Sequence, residues 1–470
     1  MWLVNTEKIL LEEFFDSQVP PYAILSHTWG DQEVLLSDMQ APELDIALDP
    51  RKKEGFDKLV NSCAQAKKDR HRYIWIDTCC IDKKSSAELS EAINSMFRYY
   101  QNATMCYAFL SDVSAKDDLG TNGEQSIRTR RSLPRQGFRH VQENDTTTEH
   151  REIKFHESRW FTRGWTLQEL IAPKEIHFFC RGWKFFGTKS DLQLELANIT
   201  GIEQYILAYH DSTDGEKLLA RISVAQKFSW ASRRNTTRVE DEAYCLLGIL
   251  GINMPLLYGE GKRAFRRLQE EIIRTSADQS IFAWREASTE ISLQVGSRAI
   301  GNFLADSVHE FSESGNICTS RFFESQQVLD VIETEPYALT NQGLRILLRI
   351  LHGEVNGNKE DIAVLNCYRL ILSKSSGMPQ ELRRIGIVVE SLRGGDVSSP
   401  LKDRDGRYGR VLMDRVVDLS FSSGESPYID GTEIATLLVP DDPKRYHKPQ
   451  KKTGQWSWDK EYIGFTSRQV

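Results

Sequence analysis

The 470-residue sequence contains no run of apolar residues long enough to cross a bilayer. A transmembrane helix needs about 18 or more such residues in a row, and the most apolar stretch, residues 244–258, is interrupted by Gly248 and Pro255. The first residues are acidic where a secretory signal would be basic and then apolar. We therefore expect a cytoplasmic protein that has no membrane span.

A basic excess is missing as well, because 60 lysines and arginines face 67 aspartates and glutamates, for a formal net charge of −7. Nucleic-acid-binding proteins usually carry a positive patch and a high isoelectric point. The charge balance therefore argues against a nucleic-acid partner and is typical of a soluble globular protein.

Among the eight cysteines there is no CxxC pair. Disulfide frameworks and zinc ribbons show regularly spaced pairs, so the sequence predicts reduced thiols. A zinc site made of one histidine and three cysteines is disfavoured, since their spacing matches no recognised ligand pattern. The residues of that rejected site are Cys63, His71, Cys79 and Cys80. No metal site is expected.

The texture of the sequence changes along the chain. Strand-like and helix-like segments alternate over residues 1–205, which predicts a parallel sheet flanked by helices in an open α/β domain. Helical periodicity predominates over residues 206–286. Short β-rich runs separated by polar turns follow over residues 287–470 and predict an accessory domain. The polar segment at residues 116–152 is predicted to be a mobile insertion.

Polar residues follow three of the predicted strands, at the edge of a parallel sheet where ligands bind, and the third of these groups is Ser111 with Asp112. The first group, Ser26–Gly30, combines hydroxyls, a histidine and a glycine that lets a ligand approach backbone amides closely. The alternative is a hydrogen-bonded loop closed by a packed Trp29. The second group is Asp77–Asp82.

The second group offers a nucleophile. Cys79 or Cys80, with His27 nearby, would form a Cys/His hydrolase if a base lowered the pKa of the thiol. The alternative interpretation is a buried pair of small residues at the corner where the strand meets its loop.

A third candidate is Glu169, in the segment 158–173 that we predict to be one helix. The i, i+3 and i+4 spacing would place Thr162, Trp165 and Thr166 on the same helical face as this carboxylate. A carboxyl beside aromatic surface tends to have a raised pKa, which suits proton transfer or the stabilisation of a developing positive charge.

Two structural roles compete with catalysis for Glu169. It would complete a capping box with Thr166, or it would pair with Arg163 at the surface. Similar boxes are predicted at residues 85–88 and 237–240. The Gly259–Lys262 stretch lacks the spacer and the hydroxyl of a phosphate loop, so we interpret it as the start of a helix.

Three blocks of sequence resemble a known family. YAILSHTWG (22–30), YIWIDTCCIDKKSSAELSEAINSMFRYYQNA (73–103) and SRWFTRGWTLQELIAP (158–173) are similar to the blocks of the fungal heterokaryon incompatibility domain. Residues 223–273 resemble the helical segment that follows this domain in many members. The family is associated with non-self recognition between fungal cells and with cell death, a form of innate immunity.

Through that family the chain also resembles the Toll/interleukin-1 receptor (TIR) domain, a flavodoxin-like fold with several members that hydrolyse NAD. Residues 22–26 are similar to its first strand. Residues 158–160 with 165–170 are similar to the plant TIR pattern in which the glutamate is catalytic, although Thr166 stands where that pattern has cysteine.

The resemblance implies that the first domain is flavodoxin-like (TIR-like), that Glu169 is catalytic and that NAD is the substrate, with no cofactor. It places Trp165 against the ribose or nicotinamide, the Ser26–Gly30 loop at the phosphates and Asp77 near the pocket floor. The substrate-binding residues are then Ser26, His27, Thr28, Trp29, Gly30, Asp77, Cys79 and Trp165.

By the same resemblance, activity is expected in a homo-oligomer, and the C-terminal domain is a candidate surface for a protein partner. A different class of function stays open. The chain would then be a non-enzymatic signalling module that triggers cell death by assembly or by recruiting partners.

Overall fold

The structure, a computed structural model, describes thirteen parts of the chain. These are residues 1–15, 18–40, 53–114, 154–208, 212–285, 303–319, 337–340, 343–355, 358–372, 379–391, 408–410, 417–419 and 433–439. The predicted insertion at residues 116–152 lies outside the described residues.

A mostly parallel sheet forms the centre of the first 200 residues. Within the described residues it has seven strands in the order β2-β1-β4-β3-β5-β6-β7. The four central strands β4, β3, β5 and β6 are parallel to one another. Strands β1 and β2 on one side and β7 on the other side pair antiparallel. The strands are Trp2–Asn5 (β1), Leu10–Glu13 (β2), Ala23–His27 (β3), Tyr73–Trp75 (β4), Met105–Leu110 (β5), Ile176–Cys180 (β6) and Lys184–Thr188 (β7).

The parallel strands confirm the predicted α/β domain and its flavodoxin-like order. Along the chain the parallel strands are β3, β4, β5 and β6. In the sheet they lie in the order β4-β3-β5-β6, so the second parallel strand lies outside the first. This 2-1-3-4 arrangement is the flavodoxin-like order. All five residues of β3 are buried, as expected for a central strand that is covered on both faces. The order reverses between β3 and β5, and crevices at such reversals bind ligands.

Five helices accompany this sheet. They are Leu36–Met39 (α1), Lys53–Lys68 (α2), Ser86–Asn102 (α3), Thr166–Ile171 (α4) and Gln193–Thr200 (α5). The capping box predicted at the start of α3 is confirmed in one half. The Ser85 hydroxyl accepts the Glu88 N–H at 3.3 Å, but the Glu88 carboxylate accepts the N–H of Asp82 instead of reaching back to Ser85.

The prediction of one continuous helix over residues 158–173 is wrong. Arg159–Thr162 forms a 3₁₀ turn, and α4 begins only at Thr166. The cause is pairing with a distant residue: the Asn235 N–H donates to the Thr162 carbonyl at 2.6 Å, and the Gly164 N–H donates to the Asn235 carbonyl at 2.9 Å. Since these groups bond to residue 235, they do not form an intrahelical ladder.

A helical segment follows the sheet, as predicted. Its helices are Gln204–Leu207 (α6), Ser212–Arg221 (α7), Val224–Ala231 (α8), Asp241–Tyr244 (α9), Leu247–Leu250 (α10) and Arg263–Thr275 (α11). The capping box predicted over residues 237–240 is wrong, because Glu240 is itself the N-cap residue of α9 and its carboxylate bonds to a loop later in the chain. It accepts the N–H groups of Gly259 and Gly261, at 2.8 and 3.0 Å, and so closes the glycine-containing loop before α11.

The C-terminal β-rich region is an antiparallel sheet. Its described strands follow the order β13-β12-β11-β10-β15. Three short strands pair outside this order, β14 with β12, β8 with β11 and β9 with β10. The strands are Ile317–Thr319 (β8), Ala338–Thr340 (β9), Gly343–Val355 (β10), Asn358–Leu372 (β11), Pro379–Ser391 (β12), Tyr408–Arg410 (β13), Val417–Leu419 (β14) and Glu433–Val439 (β15). The domain limits near residues 205 and 286 stay predictions.

None of the helices in the described parts of the chain combines the length and the apolar character that a membrane crossing requires.

Candidate functional site

The carboxyl ends of β3 and β5 meet at the point where the strand order reverses. Ser26 and His27 end β3, and Asp112 follows β5. The Asp112 carboxylate accepts the Ser158 hydroxyl at 2.7 Å and the Arg159 N–H at 2.8 Å. These bonds bring the turn before α4 across to the end of β3, and so set the position of Glu169.

Glu169 is the centre of a buried hydrogen-bonded chain. The Ser26 hydroxyl donates to Glu169 Oε2 at 2.5 Å, and the indole Nε1 of Trp160 donates to the Ser26 oxygen at 2.8 Å. Ser26 and Trp160 are fully buried, and Glu169 is 6% exposed. The sequence-predicted pair of Ser26 and Glu169 is therefore brought into direct contact.

Burial and, to a smaller extent, the negative charge of Asp77 raise the pKa of Glu169 to about 8, although hydrogen bonds from Ser26 and Tyr100 and the guanidinium of Arg234 act to lower it. The Tyr100 hydroxyl lies on α3 and also donates to the Leu25 carbonyl at 3.1 Å. A carboxyl of this kind holds its proton at neutral pH and ionises when a nearby positive charge stabilises the anion.

The geometry contradicts both structural roles that competed for Glu169. The Thr166 hydroxyl donates to the carbonyls of Trp160 and Arg163 and takes no part in a capping box with Glu169. The Arg163 guanidinium donates to the Thr237 hydroxyl at 3.2 Å. Glu169 points to the end of β3 instead.

Arg234 holds α4 from the side of the helical segment. Its Nη1 donates to the Arg163 carbonyl at 3.0 Å and to the Thr166 hydroxyl at 2.9 Å. Burial lowers the pKa of its guanidinium to about 10, in spite of Cys245 and Glu169, which favour the charge. The helical segment thus contributes a buried cation to the surroundings of Glu169.

A second cluster surrounds His27. Its ring nitrogens Nε2 and Nδ1 lie 3.7 Å from Glu33 and 3.8 Å from Asp77, beyond hydrogen-bond distance. His27 is only 6% exposed, yet neither ring nitrogen has a hydrogen-bond partner among the residues that the structure describes. Burial opposes ionisation of Glu33, but His27, the Lys58 ammonium and the Gly30 N–H hold its pKa at about 2.

Trp29 and Asp77 lie together at this edge. The Trp29 Nε1 donates to Asp77 Oδ2 at 2.6 Å, while 45% of Trp29 stays exposed. The ammonium of Lys83 lies 3.4 Å from the centre of the Trp29 ring. The predicted loop closed by a packed tryptophan is therefore only half right, since this indole faces solvent over much of its surface.

Thr28 and Gly30, the remaining residues of the 26–30 loop, already use polar groups in hydrogen bonds within the chain. Thr28 is 8% exposed, and its hydroxyl accepts Nη2 of Arg159 at 3.4 Å. The Gly30 N–H, expected to approach a ligand, donates to Glu33 Oε1 at 2.8 Å. Arg159 thus places a cation beside Thr28, as Lys83 does beside Trp29.

The cysteines of the second predicted group are buried. Cys79 is 1% exposed and Cys80 is 3% exposed. Contact with Cys80 and burial both raise the pKa of the Cys79 thiol well above its usual value, so the neutral thiol predominates and the geometry gives no support to a Cys/His nucleophile. Within the described residues no group of three metal-ligating side chains is assembled.

Trp165 was predicted to lie beside Glu169, but the contact described for its side chain is with another carboxyl group. It is half-buried, and its side chain contacts the carboxyl of Asp241. Trp160 is the indole that belongs to the Glu169 chain. Both tryptophans lie in the block 158–173, so the sequence offered Trp160 as well. The spacing of one continuous helix favoured Trp165.

Four further residues of the site were missed by sequence reasoning. Tyr100 lay in the apolar stripe predicted for its helix and was assigned to the core. Lys83 lay in a polar turn that is typical of a solvated surface. Arg159 lies in the 158–173 block but was given no role of its own, and Arg234 comes from a segment with no chemical motif, so only the folded arrangement identifies them.

Two family models match parts of the chain. The model of the family "Heterokaryon incompatibility protein (HET)" matches residues 22–169, from the start of β3 to Glu169. Residues 1–285 resembled the same family in their sequence blocks. Residues 22–169 therefore match the heterokaryon incompatibility (HET) domain. Residues 263–362 match a second family, described as a domain of unknown function (DUF8212).

One relative matches a longer part of the chain than the family model does. Over 258 residues the chain is 40% identical to the vegetative incompatibility protein HET-E-1 of Podospora anserina. The aligned part covers 54% of this chain and 16% of that protein. The comparison with solved structures finds no match.

Proposed function

We propose that this HET-domain chain acts in heterokaryon incompatibility, the non-self recognition between fungal cells that ends in cell death. The family match over residues 22–169 and the 40% identity to a vegetative incompatibility protein support this role. Because the aligned part spans 16% of that relative, the activity itself is argued from the site.

The proposed reaction is hydrolysis of NAD at the nicotinamide N-glycosidic bond. The bond from the ribose anomeric carbon to the pyridinium nitrogen breaks, and its electron pair leaves with neutral nicotinamide. Water adds to the anomeric carbon and loses one proton, which yields ADP-ribose. The transition state resembles an oxocarbenium ion, so a single carboxylate next to the ribose stabilises it.

The observation that carries this proposal is the position of Glu169. Its carboxyl lies at the carboxyl end of the central strand, bonded to Ser26, where the strand order reverses. With a pKa of about 8 it needs a positive neighbour to ionise at neutral pH. The nicotinamide ring of NAD carries that positive charge.

We propose further that the active form is a homo-oligomer. Glu169 is 6% exposed in the single chain, so substrate reaches its carboxyl only after this edge opens. Contacts between copies supply a source of the free energy for that opening. Activity is therefore expected to rise more steeply than in proportion to protein concentration.

The experiment is an assay of nicotinamide release over a series of protein concentrations and after chemical cross-linking. Glu169→Gln is expected to lower the rate by about 100-fold, since it removes the stabilising charge. Glu157→Gln, at an exposed site before the same turn, is the matched control. No release in any assembly state, or equal rates for Glu169→Gln and wild type, would remove the proposal.

One observation favours a second candidate, the non-enzymatic signalling module. The carboxyl of Glu169 is already hydrogen-bonded and buried, as in a purely structural network. This candidate expects Glu169→Gln to retain cell killing when it is produced in fungal cells. It also expects a surface change, such as Phe185→Ser on the outer strand β7, to abolish killing, because Phe185 is 56% exposed.

A further inference from the structure

Lys83 carries a buried ammonium for which the described part of the chain supplies no hydrogen-bond acceptor. Its Nζ is buried without a hydrogen-bond partner among the described residues. An ammonium has three donors, and leaving them unmet in the interior costs several kcal/mol. The only contact described for Nζ is the ring of Trp29 at 3.4 Å, and a π face replaces part of the hydration of a cation but accepts no strong hydrogen bond.

The carboxylates of the site do not fill this need. Glu33 accepts the Lys58 ammonium at 2.5 Å. Asp77 directs Oδ2 to the Trp29 indole, and its Oδ1 has no hydrogen-bond partner in the described part of the chain. Asp77 and Glu33 therefore favour the charge of Lys83 only through space, while burial lowers the pKa of its ammonium.

The turn that carries Lys83 is held in place on both sides. The Asp82 carboxylate accepts the Lys84 N–H at 2.8 Å, and the Glu88 carboxylate accepts the Asp82 N–H at 3.0 Å. Ser85 then caps α3. Because the backbone is fixed, Lys83 is aimed at the edge of the sheet before any ligand arrives, which lowers the entropy cost of binding.

Lys83 also lies beside the other polar groups that lack partners. The two ring nitrogens of His27 and the free Oδ1 of Asp77 border the same edge. The exposed part of Trp29 supplies apolar surface next to them. An anion that accepts hydrogen bonds, joined to an aromatic or sugar group, would satisfy this combination.

We propose that Lys83 binds a phosphoryl group of a dinucleotide at the β3 edge, with Trp29 and His27 as its neighbours in the same subsite. The inference rests on the proposed function for the identity of the dinucleotide, which is the NAD that Glu169 would cleave. Lys83 is then a specificity-determining residue, and Glu169 is the residue that acts on the ribose.

The test measures binding separately from cleavage. Calorimetric titration with inorganic pyrophosphate and with ADP-ribose compares wild type, Lys83→Met and Lys84→Met. Lys84 is the adjacent exposed lysine and serves as the matched control. Loss of a charge-assisted hydrogen bond should raise the Kd of both probes about tenfold or more in Lys83→Met, whereas Lys84→Met should bind as wild type does.

A second measurement needs no variant and so does not depend on folding of Lys83→Met. Acetylation of the buried Lys83 ammonium requires this edge to open, so it should be slow in the free wild-type chain and slower still with pyrophosphate, as read by mass spectrometry, whereas acetylation of Lys84 should not change. ADP-ribose should bind about tenfold more tightly than pyrophosphate, because it adds contact with Trp29. Equal affinities would overturn the assignment to a nucleotide.

Failure of this inference differs from failure of the proposed function. If pyrophosphate protects Lys83 while no preparation releases nicotinamide, the anion site stands without the hydrolase. If Glu169→Gln abolishes release while Lys83→Met leaves the KM for NAD and both Kd values unchanged, the hydrolase stands and the role of Lys83 is overturned. Absence of binding by wild type also overturns it.

Discussion

The Ser26 hydroxyl joins Glu169 to Trp160: it donates to the Glu169 carboxyl at 2.5 Å and accepts the Trp160 indole N–H at 2.8 Å. One oxygen at the end of β3 thus connects the central strand with the 3₁₀ turn Arg159–Thr162 and with α4. Because all three groups are buried, each depends on the others for its hydrogen bonds.

Ser26→Ala should therefore destabilise the domain by about 2–3 kcal/mol, since it leaves the Trp160 N–H and the Glu169 carboxyl without this partner. Ser62→Ala is the control, because Ser62 is equally buried but its hydroxyl bonds to the Leu59 carbonyl in its own helix. Urea denaturation gives both values. Equal losses in the two variants would contradict a special role of Ser26.

Glu169 should make the stability of the protein fall as the pH rises. Its pKa in the folded chain, about 8, exceeds the usual 4.5, so the folded state keeps a proton that the unfolded chain has lost. The contribution is complete below about pH 4.5 and disappears as the pH rises through 8.

Glu169→Gln removes this titration. The free energy of unfolding of wild type relative to Glu169→Gln should decline by a few kcal/mol between pH 5 and pH 8. Denaturant titrations at several pH values measure it, with Glu157→Gln as the exposed control. A difference that does not change with pH would show that Glu169 is ionised throughout.

Local patterns predicted the elements of this fold better than its contacts. The strand Met105–Leu110 and the parallel strands on either side of it follow from short apolar runs between helical periods. The ends of these strands could therefore be predicted as a site, and Ser26 and Asp77 with them. The chain turns that depend on residue 235 could not, because no local signal reports a partner more than 70 residues away.

The choice between the two indoles shows the same limit. Trp165 was preferred because one continuous helix would place it a single turn from Glu169. Once Asn235 interrupts that helix, the geometry changes and Trp160 reaches Ser26. Lys83 escaped notice for a related reason: a lysine in a polar turn predicts solvent exposure, and only the tertiary structure buries its ammonium.

Glu240 should order the loop between α10 and α11. Its Oε1 accepts two backbone N–H groups, from Gly259 and Gly261, whose φ angles are +105° and +60°. Glu240→Ala leaves both donors unmet and should cost about 2–3 kcal/mol. Glu240→Gln keeps one accepting oxygen and should cost about half as much.

Hydrogen exchange measures this effect at the two glycine amides. Both should exchange faster in Glu240→Ala than in wild type, and Glu240→Gln should be intermediate. Unchanged exchange at Gly259 and Gly261 would mean that the loop is held by the neighbouring contact of Glu260 with Arg267, at 2.6 Å.

Gly248 should be the point where the helical segment and the HET domain depend on each other most. It lies in α10 against α3, and a Cβ added there would stand 2.1 Å from the Cβ of Phe97. Gly248→Ala must therefore push the two helices apart, at a cost of about 1–3 kcal/mol. At Gly30 the same substitution meets its nearest atom at 3.8 Å, so Gly30→Ala is the matched control.

Thermal unfolding should show a lower Tm for Gly248→Ala only. The variant should still unfold in a single transition, since the helical segment and the sheet share one core. Two separate transitions in the variant would show instead that the helical segment and the sheet fold independently.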